Sequence, residues 1–280
     1  MMNIIRGTHI LKSNSRLVRS FGLILFFLHL TAASVFPEPN PGMKQPVVGE
    51  KLTYILRWGL IPVGWATLHV KGIEELNGRK VYLIAMTAWS NSFLSAIYKV
   101  KDYVETYVDV ESQCSRRFYK KQFEGGYQTN EEMLYDQENR HATYHSFRNG
   151  MTKEMEIPAN VQDALSSIYY FRTLPLEEGK SVFMDVNADE KNWVLEVQIL
   201  DLKKNWEVRR MGSFDAFYIE PLAKFKGMFE RRGRVWVWVS ADHRRLPLLV
   251  KSKVPFGSVT GTLVKAEIVR PDSKKKDLPS

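Results

Sequence analysis

The chain has 280 residues, 44% hydrophobic and 12% aromatic, enough for a large core and better suited to strands than to a helix bundle. Its net charge is +9, but Arg6, Lys12, Arg16 and Arg19 stand in the first 34 residues without an acid, so the rest carries only +5. So small an excess, scattered rather than striped, argues against a nucleic-acid partner. Residues 1–34 read as an export signal: the basic stretch ends at Arg19, apolar Phe21–Leu30 follows, and small residues Thr31, Ala32, Ala33 and Ser34 close it. That run is shorter than the roughly 20 residues a membrane span needs. The pattern predicts a periplasmic protein, cleaved near Ala33 or Ser34. The alternative is an inner-membrane anchor formed by an uncleaved N-terminus. Pro37, Pro39, Pro41, Gly42 and Pro46 make residues 35–47 a linker. A single β-rich domain is expected over residues 48–270, and residues 271–280, with Lys274–Lys276, form a basic tail.

Within the domain, residues 51–58 alternate as a strand and 65–71 return after a corner holding Pro62. Asn77-Gly78 is a tight-turn dipeptide leading into a strand over 80–89. Ser90–Tyr98 carries too many apolar groups for a plain loop; a flap or one-turn helix bearing Phe93 and Leu94 over an opening is expected. Strands follow over 99–110, 117–123, 127–135 and 141–147. Asn160 is placed to cap a helix over Val161–Arg172, with Ala164, Leu165, Ile168 and Phe171 as its apolar stripe. Strands are then expected over 181–186, 192–202, 206–210 and 214–220, a hairpin over 234–255, and a last strand over 259–269.

The hairpin's first strand is apolar on both faces: Val235, Val237 and Val239 on one, Trp236 and Trp238 on the other. The predicted fold is mainly β: a large curled or partly closed antiparallel sheet, a half-barrel or barrel, with one main helix packed on or in it. One helix cannot shield so much apolar strand surface. A cavity lined by Trp58, Trp65, Trp89, Trp236 and Trp238, with Phe93 and Leu94 beside it, is therefore expected to hold a ligand.

Asp102 faces an apolar side and must be paired or protonated. Arg172, Arg244 and Arg245 are its candidate partners, in a structural ion pair holding helix or hairpin to the sheet. Asp242 reads as a turn residue bonding backbone amides, with the arginines after it clamping its carboxylate. His141 and His145 lie about 13 Å apart if both are on one strand, too far to share a metal ion. Cys114, the one cysteine, reads as an incidental thiol that leaves no intramolecular disulfide possible. No catalytic set, metal site or cofactor is predicted.

Several stretches together resemble the bacterial family called domain of unknown function 3108. They are Val48-Gly49-Glu50-Lys51-Leu52-Thr53-Tyr54, the Gly59-x-x-x-x-Gly64 corner, Tyr98-x-Val100-x-Asp102, residues 163–172, and Trp238-Val239-Ser240-Ala241-Asp242-x-Arg244-Arg245-Leu246-Pro247. The resemblance spans about Val48 to Ile268 and implies an exported, β-rich envelope protein without an established activity. Its fold is similar to the half-closed barrels of periplasmic lipoprotein carriers. Cys114 departs from the acid expected at that position. The functional expectation is a non-catalytic binding module or carrier for a lipid-like or hydrophobic molecule. The alternatives are an envelope assembly factor acting through a protein partner, and a hydrolase using Asp102 with Glu105 or Glu111.

Overall fold

Asn77 and Gly78 both have positive φ, 50° and 78°, the pattern that reverses a strand in step with the sheet's own twist. Such two-residue turns, joined to period-two patterning, produce a meander. The computed structural model describes residues 46–224, 234–254 and 257–270. The export signal, most of the linker and the basic tail lie outside the described residues. The first half comprises β1 (Glu50–Trp58), β2 (Ile61–Leu76), β3 (Arg79–Ser90), α1 (Ser92–Ser95), β4 (Lys101–Asp109), β5 (Ser115–Glu124), β6 (Tyr127–Asp136), β7 (His141–Ser146) and β8 (Thr152–Glu156). The second comprises β9 (Gln162–Asp163), α2 (Ser166–Phe171), β10 (Ser181–Ala188), β11 (Lys191–Val208), β12 (Gly212–Lys224), β13 (Val235–Ser240), β14 (Pro247–Val254) and β15 (Gly257–Ile268).

All fifteen strands belong to one sheet, in the order β8 down to β1, then β15 down to β9. Neighbours are antiparallel except β9 and β10, and the first and last strands pair in the middle, Glu50 opposite Ile268 and Trp58 opposite Val259. The sheet curls but does not close: β8 and β9 are its edges. Side chains bridge the gap where the backbone ladder is missing. Asn192 Nδ2 donates to the Glu156 carbonyl at 2.6 Å, Tyr135 Oη to Asn187 Oδ1 at 3.4 Å, and Lys153 pairs with Glu190.

The inner face carries the core. Leu52, Tyr54, Leu68, Val70, Ile84, Val104 and Leu263 pack around Leu165 and Tyr169 of the α2 segment; Phe171, Leu174 and Leu176 cover Met184, Leu195, Ile199 and Phe217. The helix thus plugs the concave side. It is shorter than expected, and Asn160, with φ of 58°, does not cap it. Residues 162–163 are instead taken by pairing with Val186 and Asn187. Asp163 begins the helix: Oδ1 accepts from the amides of Leu165 at 2.7 Å and Ser166 at 2.8 Å, and Oδ2 from the hydroxyls of Thr106 and Ser115. One buried carboxylate therefore joins α2 to β4 and β5.

The expected strands over 192–202 and 206–210 are one strand, β11, with irregularities at Ile199–Asp201 and Lys203–Trp206. Between β2 and β3, Gly64 is required by close approach: a Cβ there would lie 2.2 Å from the Trp89 carbonyl oxygen. That contact fixes the register that sets Trp65 opposite Trp89.

Candidate functional site

β5 alternates Phe118, Lys120, Gln122 and Glu124 on one face, and register sets Lys120 opposite core residue Val104. This polar row therefore points inward, not to solvent. Next to it on β6, Glu131 faces Lys120 and Thr129 faces Gln122. Across the interior, the β10–β11 turn brings up Asn187, Asp189, Glu190 and Trp193. Between them lies a cleft of about 670 Å³ with a largely polar lining, completed by Tyr127, Tyr135, Tyr144, Ser146, Arg148 and Lys191.

Lys120 Nζ lies 2.7 Å from Glu131 Oε1 and 3.5 Å from Asp189 Oδ1. Burial would discharge this ammonium, but the two carboxylates outweigh it and its pKa rises. Glu131 Oε2 also accepts from Thr129 Oγ1 at 2.6 Å and Tyr144 Oη at 3.0 Å. Burial would raise Glu131, yet Lys120 and the two hydroxyls hold it below the usual carboxylate range. Lys120 and Glu131 therefore stay charged through neutral pH.

A second pair behaves in the opposite way. Asp102 accepts from the Phe123 amide at 3.2 Å and from Gln122 Nε2 at 3.5 Å, and it stands beside Glu124. Glu124 is fully buried, and as carboxylates the two acids offer each other no donor. With one proton between them they hydrogen-bond. Burial, then the hydrogen bond and charge of Asp102, push Glu124 up to about 9, and burial raises Asp102 as well. The pair is one buried acid and one buried base sharing a proton at the wall of the cleft.

The structure does not pair Asp102 with arginine. Arg172 forms a two-bond fork with Glu50, at 2.7 and 2.8 Å, and also donates to the Arg244 carbonyl at 2.9 Å. Arg244 is paired with Asp242, whose Oδ2 accepts from Nε at 2.9 Å and Nη2 at 2.6 Å. Arg245 donates to the Ala241 carbonyl at 3.2 Å and lies over the Phe217 ring. Asp102 sits on β4 inside the sheet, whereas the arginines gather where α2 meets the β13–β14 turn. Glu105 is also separate, facing outward with Lys71 and Tyr103.

None of the expected aromatic ligand residues lines the cleft. Trp65 and Trp89 stack on the outer face with centroids 6.4 Å apart. Trp238 stacks on Trp206 at 5.3 Å and on Tyr218 at 4.6 Å, also outside, and Trp236 lies under the Arg234 guanidinium. Trp58 stands at the rim, 40% exposed. Phe93 and Leu94 lie on or beside that rim in α1, which is the expected one-turn helix but covers no opening of the cleft. Alternation showed that these strands are apolar on both faces; it did not show that the outer aromatics shield one another across strands. His141 Nδ1 pairs with Glu154 at 3.0 Å, and His145 Nδ1 lies 3.2 Å from Thr152 Oγ1. Cys114 is buried, which pushes its thiol up.

Lys120, Glu124, Glu131, Tyr144 and Trp193 were not singled out from sequence. Their polar alternation reads as a wetted face until register sets Lys120 against Val104. That inward turn was the only available signal, and it depends on pairing.

A family model described as a protein of unknown function, DUF3108, matches residues 53–264. Among solved structures, the β-barrel-like protein of domain of unknown function DUF1849 from Brucella abortus is similar, with TM-score 0.56 and 12% identity over 81% of this chain and 100% of that one. At that identity the likeness concerns the fold alone. A protein with a YmcC-like fold from Bacteroides fragilis gives TM-score 0.33 at 10% identity, over 80% of this chain and 98% of that one. No curated protein matches the chain.

Proposed function

Because the chain belongs to the family DUF3108, whose description names no activity, we propose a function from geometry: an exported, non-catalytic binding module that holds a small amphiphilic guest. The observation carrying this reading is the cleft of about 670 Å³, too polar for a bare hydrocarbon and too large to be a packing defect. Three carboxylates, Glu131, Asp189 and Glu190, face it with the protonated Glu124, against three cations, Lys120, Arg148 and Lys191; Glu132 turns to the other side of β6 and pairs with Arg117. Charges so nearly balanced, beside the Tyr127, Tyr135 and Tyr144 side chains, favour a guest whose polar end hydrogen-bonds, such as a hydroxylated headgroup, over one selected by its charge. Phe118, Tyr127 and Trp193 offer apolar surface to the rest of the guest.

Export fits the signal-like first 34 residues, with a periplasmic mature domain and, as alternative, an inner-membrane anchor. A role as envelope assembly factor stays a second reading. The Asp102–Glu124 pair is the observation that favours a third, a hydrolase.

Fluorescent long-chain amine and fatty-acid probes of equal length test the binding reading. Both should bind the purified full chain, and Ala188→Trp, which fills the cleft from the β10 side, should weaken both about tenfold or more. Native mass spectrometry of protein taken from cells should show a retained guest. Empty protein that binds neither probe would end the proposal, and turnover lost in a folded Glu124→Gln variant would favour the hydrolase.

A further inference from the structure

The outer face carries a mostly apolar row that the cleft does not use. It is overlain at Ile55, Thr262 and Trp238 by Arg209, Arg210 and Trp206 of the β11–β12 hairpin and open at Trp65 and Trp89. Trp89 pairs across strands with Trp65, Trp65 with Ile55, and Ile55 with Thr262. The row continues from Thr262 to Leu249, then to Trp238, then to Tyr218. It crosses seven neighbouring strands, and Trp65 and Trp89 are each 39% exposed. Beside it, two connections at the same end of the sheet carry bare apolar tips: Leu60 and Ile61 at 94% and 52% exposure, Phe93 and Ile97 at 59% and 80%. These tips are held firmly. Asn91 donates its amide to the Val63 carbonyl and its Nδ2 to the Pro62 carbonyl, each at 2.8 Å.

The charge beside these two connections has one sign. Residues 51–73, 79–101 and 243–266, which supply the two connections and the strands beside them, contain no Asp or Glu. Arg57, Lys99, Lys101, Lys251 and Lys253 have no ion-pair partner among the described residues, and the four lysines are exposed. Protruding apolar tips, amphipathic indoles behind them and a fringe of unopposed cations match the layers of a lipid interface. A flat protein partner would leave such isolated tips unfilled.

We propose that this end of the sheet docks on an anionic lipid bilayer, with Leu60, Ile61, Phe93 and Ile97 entering the acyl boundary and the lysines meeting lipid phosphates. No helix among the described residues is long and apolar enough to cross a membrane.

The test uses the full chain and vesicles with brominated acyl chains, either phosphatidylcholine alone or mixed with phosphatidylglycerol. All seven tryptophans lie between residues 58 and 238, so quenching reports the domain and not the apolar N-terminal stretch. Mixed vesicles should quench tryptophan emission, phosphatidylcholine alone far less, and added salt should reverse the effect. Leu60→Asp with Ile97→Asp should abolish quenching without changing circular dichroism. Lys99→Glu with Lys253→Glu should weaken binding about tenfold or more. Unquenched wild-type protein, or quenching equal in the aspartate variant, would overturn the proposal. So would a dimer that the aspartate variant disrupts in the absence of lipid, which would assign the patch to a second copy of the chain.

Discussion

Glu124 has no donor among the described residues and one acidic neighbour, and this fixes how it responds to pH. Its folded-state pKa of about 9 lies above that of an unfolded glutamate, so the native chain keeps a proton that the unfolded chain has already released. Stability from this group is therefore complete at low pH and is lost as pH rises from about 4.3 towards 9. Glu124→Gln removes that dependence and supplies Asp102 with an amide donor. Its thermal midpoint should exceed the wild type's at alkaline pH and vary less across the window; a midpoint that declines as steeply as the wild type's would place the titration elsewhere. From sequence, Asp102 was legible as a carboxylate turned towards the core, and it is 6% exposed. Its neighbour was not. Residues 102 and 124 meet only through the pairing of β4 with β5, and nothing local announces that register.

At the scale of elements, period-two patterning located nearly every strand, because alternation and turn residues are local properties. The exceptions are physical as well. β8 is mostly exposed, with no apolar rhythm to mark it, and β9 is only two residues long. The start of α2 was misplaced because residues 161–165 satisfy a helical pattern while Asp163 is committed to β10 and to the hydroxyls of β4 and β5. The far end of α2 is tied by Arg172 to Glu50 at the start of β1, both nearly buried. Arg172→Met would leave that carboxylate without a partner and should cost about 3–5 kcal/mol in denaturant unfolding. Adding Glu50→Gln should restore much of the loss. A single variant as stable as wild type would show that water replaces the guanidinium.

For the whole molecule, the fold class was legible and the location of its spare apolar surface was not. The sheet is large and antiparallel as expected, and of the half-barrel and barrel alternatives it takes the unclosed one, but its aromatic surplus lies outside and its hollow is polar. The arrangement also places both ends of the domain together: Gly49 donates to the Val70 carbonyl and accepts from Val269 N at 2.7 Å. Joining residues 46 and 270 and opening the chain between Ala159 and Asn160 would make every strand contact a neighbour-to-neighbour one. That permutant should keep the native circular dichroism and refold faster from denaturant, because sequence-distant pairing slows folding. Equal rates would show that the meeting of first and last strands does not limit folding.

That meeting shapes the protein's birth as well. A polypeptide made from its N-terminus presents the bare hydrogen-bonding border of Leu52–Trp58 until Gly257–Ile268 has emerged to cover it. Throughout that interval the nascent chain is a template for unwanted β-partners, and the last ribbon to emerge is the one that closes the exposure.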